Sequence, residues 1–317
     1  MEDARQFPYR LKSVRVSLPT RMKMRYLTKK DIKLPKRSPE SHKGDNGRLL
    51  IIGGSVDYIG AVMLAGMAAF RSGIDLVTIA APEKVAWAIN TFSPDFITKK
   101  FKGEFFRVEQ ADRIIELSND FDVILIGNGL GLRKQTIRFS QKIIKNIKKL
   151  KVIDADAIKA LKLSDVSNAI ITPHENELRI FLDNNLKNKK IVKGIFNKKI
   201  NPEKRAKNIQ SVLKDFLGKN NIVLLKGKTD IIISKDKIRF NKTGNAGMSV
   251  AGTGDVLAGL TAGFLAQTKN LFDSACSAAF INGIIGDYLL KKKGYGFIAS
   301  DFINYIPLFI KKLNKKI

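Results

Sequence analysis

Short apolar runs that end in glycine recur along the chain. Arg48–Ser55 reads RLLIIGGS, and Phe121–Ile126 (FDVILI) runs directly into the turn Gly127–Gly131. A continuous apolar run bounded by glycines suits a strand buried on both faces, as in a parallel sheet. Leu76–Ala81, Lys151–Ile153 and Ala169–Thr172 read as further strands. Ile222–Lys226 and Ile231–Ser234 read as two more, around the turn Gly227–Asp230. Between the strands, apolar residues return at helical spacing. Lys134–Leu150 aligns Ile137, Ile143, Ile144 and Ile147 on one stripe with lysines opposite. Gly60–Ser72 and Val256–Leu265 predict helices rich in small residues, and Asp301–Ile310 a helix N-capped by Ser300. Asn201-Pro202-Glu203 has the order of an N-cap, a first-position proline and an early acid, which predicts a helix to about Leu217. The Lys/Asn-rich stretch Asn184–Ile200 reads as an exposed loop.

Strands alternating with helices predict an α/β layered fold with a mostly parallel sheet. Ligands in such folds bind outside the carboxyl ends of the strands. The turns after Ile52, Ile126 and Thr172 all fall on that edge.

Charge complicates the picture. The 317 residues carry 57 Lys+Arg against 29 Asp+Glu, a net charge of +28. Such an excess is the usual footprint of a nucleic-acid binder. Its distribution argues otherwise. Blocks 44–132, 163–184 and 220–290, which hold the glycine clusters, sum to −4, and the remaining residues carry +32. The lysines alternate with apolar residues as on solvated helix faces, and one Trp and six Tyr supply no base-stacking platform. No nucleic-acid partner is expected. With 44% hydrophobic residues the chain is not globally disordered. One cysteine, Cys276, excludes an intrachain disulfide framework and a cysteine zinc site. His42 and His174 are the only histidines, so no metal-ligand cluster is expected. The apolar stretches Ala61–Phe70 and Val256–Ala266 are too short to span a bilayer, and the first 26 residues lack an apolar signal segment. The expectation is a cytoplasmic protein without a membrane partner.

The candidate chemistry centres on Ala251-Gly252-Thr253-Gly254-Asp255, which opens the helix Val256–Leu265. Glycine amides and a helix N-terminus converge favourably on an anion. Phosphoryl transfer needs such a cradle, because its catalysis is mostly positioning and charge stabilisation. Asp255, in the first turn, is placed to accept a proton from an attacking hydroxyl. The same string also fits an ordinary buried helix start with an acidic first turn. Thr243-Gly244-Asn245-Ala246-Gly247-Met248 adds a second glycine-rich turn just upstream, and Leu225-Lys226-Gly227 a third. His174, in Thr172–Glu177 (TPHENE), suits either a substrate contact or a helix cap. Asp154-Ala155-Asp156 suits a magnesium ion or a sugar hydroxyl, and equally an N-cap pair for a helix at Ala157–Leu161.

Taken in order, His42–Ser55 (HKGDNGRLLIIGGS), Gly127–Gly131 (GNGLG), Val152–Leu161 (VIDADAIKAL), Thr172–Glu177, Leu225–Gly227 and Thr243–Ala258 (TGNAGMSVAGTGDVLA) resemble the ADP/ATP-dependent NAD(P)H-hydrate dehydratases of the ribokinase-like superfamily. The resemblance covers roughly residues 27 to 310. It implies a three-layer α/β/α fold, with a basic extension at 1–40 and the dehydratase domain at 41–317. It implies a repair reaction: the hydroxyl added to a hydrated nicotinamide ring is phosphorylated by ADP or ATP with Mg2+, and phosphate is then eliminated to restore NAD(P)H. Asp255 becomes the catalytic base. Ala61, Gly129, His174 and Asp255 face the hydrate. Lys226, Gly227, Lys228, Thr229, Asn245, Ala246, Gly247, Met248, Gly252, Thr253 and Gly254 face the nucleotide. It further implies a homo-oligomer, a tetramer, and a dehydratase standing alone without the epimerase domain to which the family is often fused. The alternative is a ribokinase-like, ATP-dependent kinase of a small alcohol or vitamin precursor. Three strings depart from the family pattern. Asn128 replaces the proline of GPGLG, Glu175 and Asn176 replace the Pro-Gly of TPHPGE, and GKTD stands where GAGT is frequent.

Overall fold

A computed structural model describes residues 24–197 and 199–314. The apolar runs pair as the alternation predicts. In chain order the elements begin with β1 (Arg48–Ile52), α1 (Ile59–Arg71), β2 (Leu76–Pro82), α2 (Glu83–Phe92), β3 (Ile97–Phe101) and α3 (Ala111–Leu117). They continue through β4 (Val123–Ile126), α4 (Lys134–Asn146), β5 (Leu150–Ile153), α5 (Ala155–Ala160), β6 (Ala169–Ile171), α6 (Glu175–Asn185) and α7 (Lys189–Ile195). The last third holds α8 (Pro202–Val212), α9 (Lys214–Gly218), β7 (Ile222–Leu225), β8 (Asp230–Ile233), β9 (Ile238–Asn241), α10 (Thr253–Thr268), α11 (Leu271–Lys293) and α12 (Ala299–Leu313).

The strands form one sheet in the order β3-β2-β1-β4-β5-β6-β7-β8-β9. It is parallel from β3 to β7, and β8 and β9 pair antiparallel at the edge. Strand side chains alternate between the two faces. Leu49 and Ile51 of β1 join the core beneath α1, α2, α10, α11 and α12, while Leu50 and Ile52 join the core beneath α3 to α9. Burial on both faces explains why β1 and β4 read as unbroken apolar runs. The result is a three-layer α/β/α domain.

Several expectations need correction. Asn184–Ile200 is not one exposed loop: α7 lies within it, with Val192 and Ile195 buried. The helix from Lys134 stops at Asn146, because Leu150 already belongs to β5. The helix from Pro202 breaks at Leu213 into α8 and α9. Ser300 is inside α12, which starts at Ala299; the carboxylate of Asp301 accepts the Ile298 N–H at 2.9 Å and caps that end. The elements α2, β3, α3, β9 and α11 had no sequence assignment. Helix α11 is 23 residues long, but it is apolar around most of its circumference and so shows no amphipathic stripe.

Residues 1–23 of the expected basic extension lie outside the described residues. From residue 24 the chain packs on the domain. Leu27 is buried and its N–H donates to the Phe240 carbonyl at 2.8 Å, beside edge strand β9. Lys33 and Ser277 exchange two hydrogen bonds at 3.0 Å. Among the described residues no helix is long and apolar enough to cross a membrane.

Helices α1 and α10 cross very closely, and the crossing sets where the N-terminus of α10 sits. A Cβ on Gly259 would lie 1.9 Å from the Ala65 carbonyl oxygen, so only glycine fits there. Gly259→Ala is expected to force the helices apart and destabilise the fold by about 1–3 kcal/mol, the usual range for overpacking. Urea unfolding measures this, and an unchanged midpoint would contradict the crossing.

Candidate active site

The carboxyl ends of β4, β5, β6 and β7 converge on the N-terminus of α10. Each strand leads into a residue that carries chemistry: Gly127–Gly131 after β4, Asp154 after β5, His174 beyond β6, and Lys226 after β7. The ends are locked together by backbone contact. Gly127 has φ +131°, and a Cβ there would fall 1.8 Å from the Asp154 carbonyl oxygen. The Lys226 N–H donates to the Pro173 carbonyl at 2.8 Å.

At the centre is a charged network. The Lys226 ammonium donates to Asp154 Oδ1 at 3.0 Å and lies 3.8 Å from Glu177 Oε2. Burial alone would lower the lysine pKa, but the Asp154 and Glu177 carboxylates outweigh it and hold the ammonium above its ordinary range. Thr172 Oγ1 donates to the same Asp154 oxygen at 2.7 Å. Asn128 Nδ2 donates to Asp154 Oδ2 at 3.0 Å and to Asp255 Oδ1 at 2.6 Å. Asp255 therefore closes the network. Burial pushes its carboxyl up to about 7, and the Asp154 charge adds to that. The Asn128 hydrogen bond and Lys226 pull the other way. A carboxyl with a pKa near neutrality suits proton transfer at physiological pH.

The helix start expected to cradle an anion lies beside this network. Gly252 caps α10, whose first-turn amides have no acceptor within the helix. A Cβ built on Gly254 would be 3.4 Å from Lys226 Nζ, so the amide end of the helix and the ammonium face the same space. The turn Gly244–Met248 is clasped by α11. Asp287 accepts the Gly244 N–H at 3.0 Å and Asn245 Nδ2 at 3.2 Å, while Asn245 Oδ1 accepts the Gly247 N–H at 3.0 Å. Ala246–Ser249 forms a short 3-10 turn. Thr253 Oγ1 donates to the carbonyls of Met248 and Val250 and joins this turn to α10.

Two turns have more occupied donors than their sequence suggests. The Gly227 N–H donates to Asp230 Oδ1 at 3.0 Å, so that amide is already satisfied. Asp230 also accepts from Asn241, and burial pushes its carboxyl up to about 6. Lys228 is exposed and Thr229 half-buried at the tip of the same turn. His174 caps α6: Nδ1 accepts the N–H groups of Asn176 and Glu177 at 3.1 and 3.4 Å, and Nε2 lies 3.5 Å from Glu177 Oε1. Half its side chain remains exposed. Gly129 and Ala61 are neighbours, since a Cβ on Gly129 would lie 3.2 Å from that of Ala61.

The fold thus brings Asp255, Gly254 and Lys226 together, sets His174 behind Glu177, and pairs Ala61 with Gly129. Asn128, Glu177 and Asp287 had no assigned role in the sequence. Asn128 was visible only as a departure from a proline pattern, and Asp287 sits on the unassigned α11. Asp154 occupies the N-cap position of α5, yet its side chain makes no cap bond and instead serves the network. The string His42–Arg48 lies at the opposite end of β1, where Gly44 and Asn46 donate their N–H groups to Asp75.

The sequence profile of the NAD(P)H-hydrate dehydratase family matches residues 49–308. The chain is 42% identical over 282 residues to a bifunctional NAD(P)H-hydrate repair enzyme of Methanothermobacter thermautotrophicus, covering 87% of this chain and 52% of that protein. The chain thus spans about half the length of the bifunctional curated relatives it matches. It is 30% identical to an ADP-dependent (S)-NAD(P)H-hydrate dehydratase of Cenarchaeum symbiosum, covering 89% of this chain and 94% of that one. Among solved structures, a Bacillus subtilis ADP/ATP-dependent NAD(P)H-hydrate dehydratase co-crystallised with ATP/Mg2+ shares the fold, with a TM-score of 0.74 at 23% identity over 92% of this chain and 100% of that one. A ribokinase-like superfamily protein of Enterococcus faecalis superposes with a TM-score of 0.75 at 25% identity, covering 92% and 96%. A profile match over most of the chain, together with these archaeal relatives, shows that the chain belongs to the NAD(P)H-hydrate dehydratase family.

Proposed function

We propose that the protein restores NAD(P)H from its hydrate with ADP or ATP as phosphoryl donor. The observation that carries this reading is Asp255, whose near-neutral carboxyl stands at the N-terminus of α10 beside Gly254 and Lys226. Asp255 accepts the proton of the ring hydroxyl. The freed oxygen attacks the terminal phosphorus of the nucleotide, whose bond to the bridging oxygen breaks to release AMP from ADP or ADP from ATP. The first-turn amides of α10 and the Lys226 ammonium stabilise the charge on the transferring group. The ring nitrogen lone pair then expels phosphate, and loss of a proton from the neighbouring carbon restores the dihydronicotinamide. The name of the Cenarchaeum relative supports ADP as the first donor to test.

Magnesium fits the charge balance of the site. Asp154, Glu177 and Asp255 surround a single ammonium, which leaves excess negative charge beside an anion cradle. Among the described residues no group of three or more His, Cys, Asp or Glu is placed to hold a metal. The ion would therefore be held chiefly by nucleotide oxygens and water, with Asp154 or Glu177 as the nearest carboxylates. When bound, it neutralises phosphate charge.

Residues 41–317 form the working domain in this reading, with residues 24–40 packed against it, and the protein is a cytoplasmic homo-oligomer, a tetramer. Exposed Trp87, Phe92 and Ile97 beside edge strand β3 are apolar surface that such an assembly would cover.

Purified protein given hydrated NADH, Mg2+ and either nucleotide is expected to restore the dihydronicotinamide absorbance. Phosphorylation of alcohols with no recovery of that band would replace this reading with a kinase. Asp255→Ala is expected to lose at least about 100-fold in kcat, the lower range for general-base removal, while nucleotide affinity stays near wild type. Near-normal turnover in this variant would exclude Asp255 as the base. His174→Ala is expected to raise KM for the hydrate more than for the nucleotide.

The pH dependence has two signs. Ionised Asp255 is the proton acceptor, so kcat/KM should rise with pH and level off above about 7. Stability should run the opposite way. The folded carboxyl keeps its proton up to about 7 against a model value of 3.8, so across that window the unfolded chain binds fewer protons and stability falls as pH rises. Asp255→Asn is therefore expected to melt higher than wild type at pH 8, with the gap closing toward pH 4. A gap of constant size would contradict the burial of this carboxyl.

A further inference from the structure

We infer that Asn128 is a positioning residue for the proton-accepting step: its side-chain amide aims the Asp255 carboxylate and keeps it in its proton-accepting form by bridging it to Asp154. This rests on the reading of Asp255 as base.

The geometry is specific. Asn128 is fully buried, and its amide carries two hydrogens and faces two carboxylates, with Nδ2 at 2.6 Å from Asp255 and 3.0 Å from Asp154. One hydrogen serves each. Without them two carboxylates would face each other with only Lys226 to compensate, and Lys226 donates to Asp154 rather than to Asp255. The orientation of the amide is informative. Asn128 Oδ1 is buried and meets no hydrogen-bond donor among the described residues. An unsatisfied buried oxygen is unfavourable, and the opposite orientation would press that oxygen against both carboxylates. The amide is thus held by the carboxylates at the expense of its own oxygen. Its backbone is anchored as well, since the Gly54 N–H donates to the Asn128 carbonyl at 2.8 Å.

The charged groups around the pair are few. Lys226 comes from the end of β7 and Asp154 from the end of β5. Glu177 comes from α6 behind Lys226, with His174 capping that helix. Asp156 is engaged by the Gly131 N–H and by Lys159. Glu177 and Asp154 disfavour the ionised form of Asp255, whereas Asn128 and Lys226 favour it. A proline at position 128 would supply no donor, so this control belongs to chains with asparagine there.

The test is Asn128→Leu, which keeps the volume and removes the donor, with Asn128→Ser as a variant that retains one hydroxyl. The acid limb of kcat/KM is expected to move up by about one pH unit in the leucine variant, about the worth of one charge-assisted hydrogen bond, and less in the serine variant. A structural role would lower activity without moving the limb, and an unmoved limb overturns the inference. A second measurement needs no variant at position 128. In 15N NMR of the wild-type protein, the Asn128 side-chain amide protons are expected to shift with the same midpoint as the Asp255 carboxyl, and to lose that titration in Asp255→Asn. Amide protons that ignore pH overturn the inference even if the leucine and serine variants fail to fold. This readout is independent of turnover. A protein without dehydratase activity but with coupled titration would refute the proposed function and leave the contact standing.

Discussion

A single half-buried ammonium organises this protein's candidate site. Lys226 is held by Asp154 and faces Glu177, so one charge ties the ends of β5 and β7 to the first turn of α6. Removing one member of such a group strands the others in a poorly solvated place, which is far more damaging than the pair's net contribution to stability would suggest. The remaining parts take their positions from it. Asn128 bridges Asp154, which Lys226 holds, to Asp255. The N-terminus of α10 faces the ammonium, and Gly259 lets that helix press against α1.

The proposed reading asks a carboxylate to work as a base beside an anion site. A helix N-terminus favours an ionised carboxylate and so weakens it as a proton acceptor. Here burial and the Asp154 charge act in the opposite direction and dominate, placing the Asp255 carboxyl near 7. The same carboxylates leave the site with surplus negative charge, although the chain as a whole carries +28. Along the sequence the positive surplus falls in the blocks outside those that hold the glycine clusters. The whole-chain charge therefore says little about the site, where a few buried groups set the local field.

Much of the architecture was legible in the chain. A strand buried on both faces is apolar at nearly every position, and β1, β4 and β7 announce themselves that way. Glycine turns at strand ends and the Gly252–Asp255 string marked residues that the fold gathers at the carboxyl edge of the sheet. Other elements were hidden for physical reasons. Helix α11 is buried around most of its surface and lacks the polar stripe that identifies a helix. Strand β3 alternates exposed and half-buried positions at the sheet edge and reads ITKKF, which no apolar run betrays. The Lys/Asn-rich stretch concealed α7, because two buried residues were enough to dock it.

The sequence by itself determined the local grammar: which runs become strands, where glycines turn the chain, and which acid opens a helix. Those properties depend on residues a few positions apart. Only the tertiary structure decided the proton chemistry. Asn128 and Asp255 are 127 positions apart, and Lys226 and Asp154 are 72 apart. A carboxyl's affinity for its proton depends on burial and on charges within a few ångströms, and those distances exist only once the sheet has brought its strand ends together.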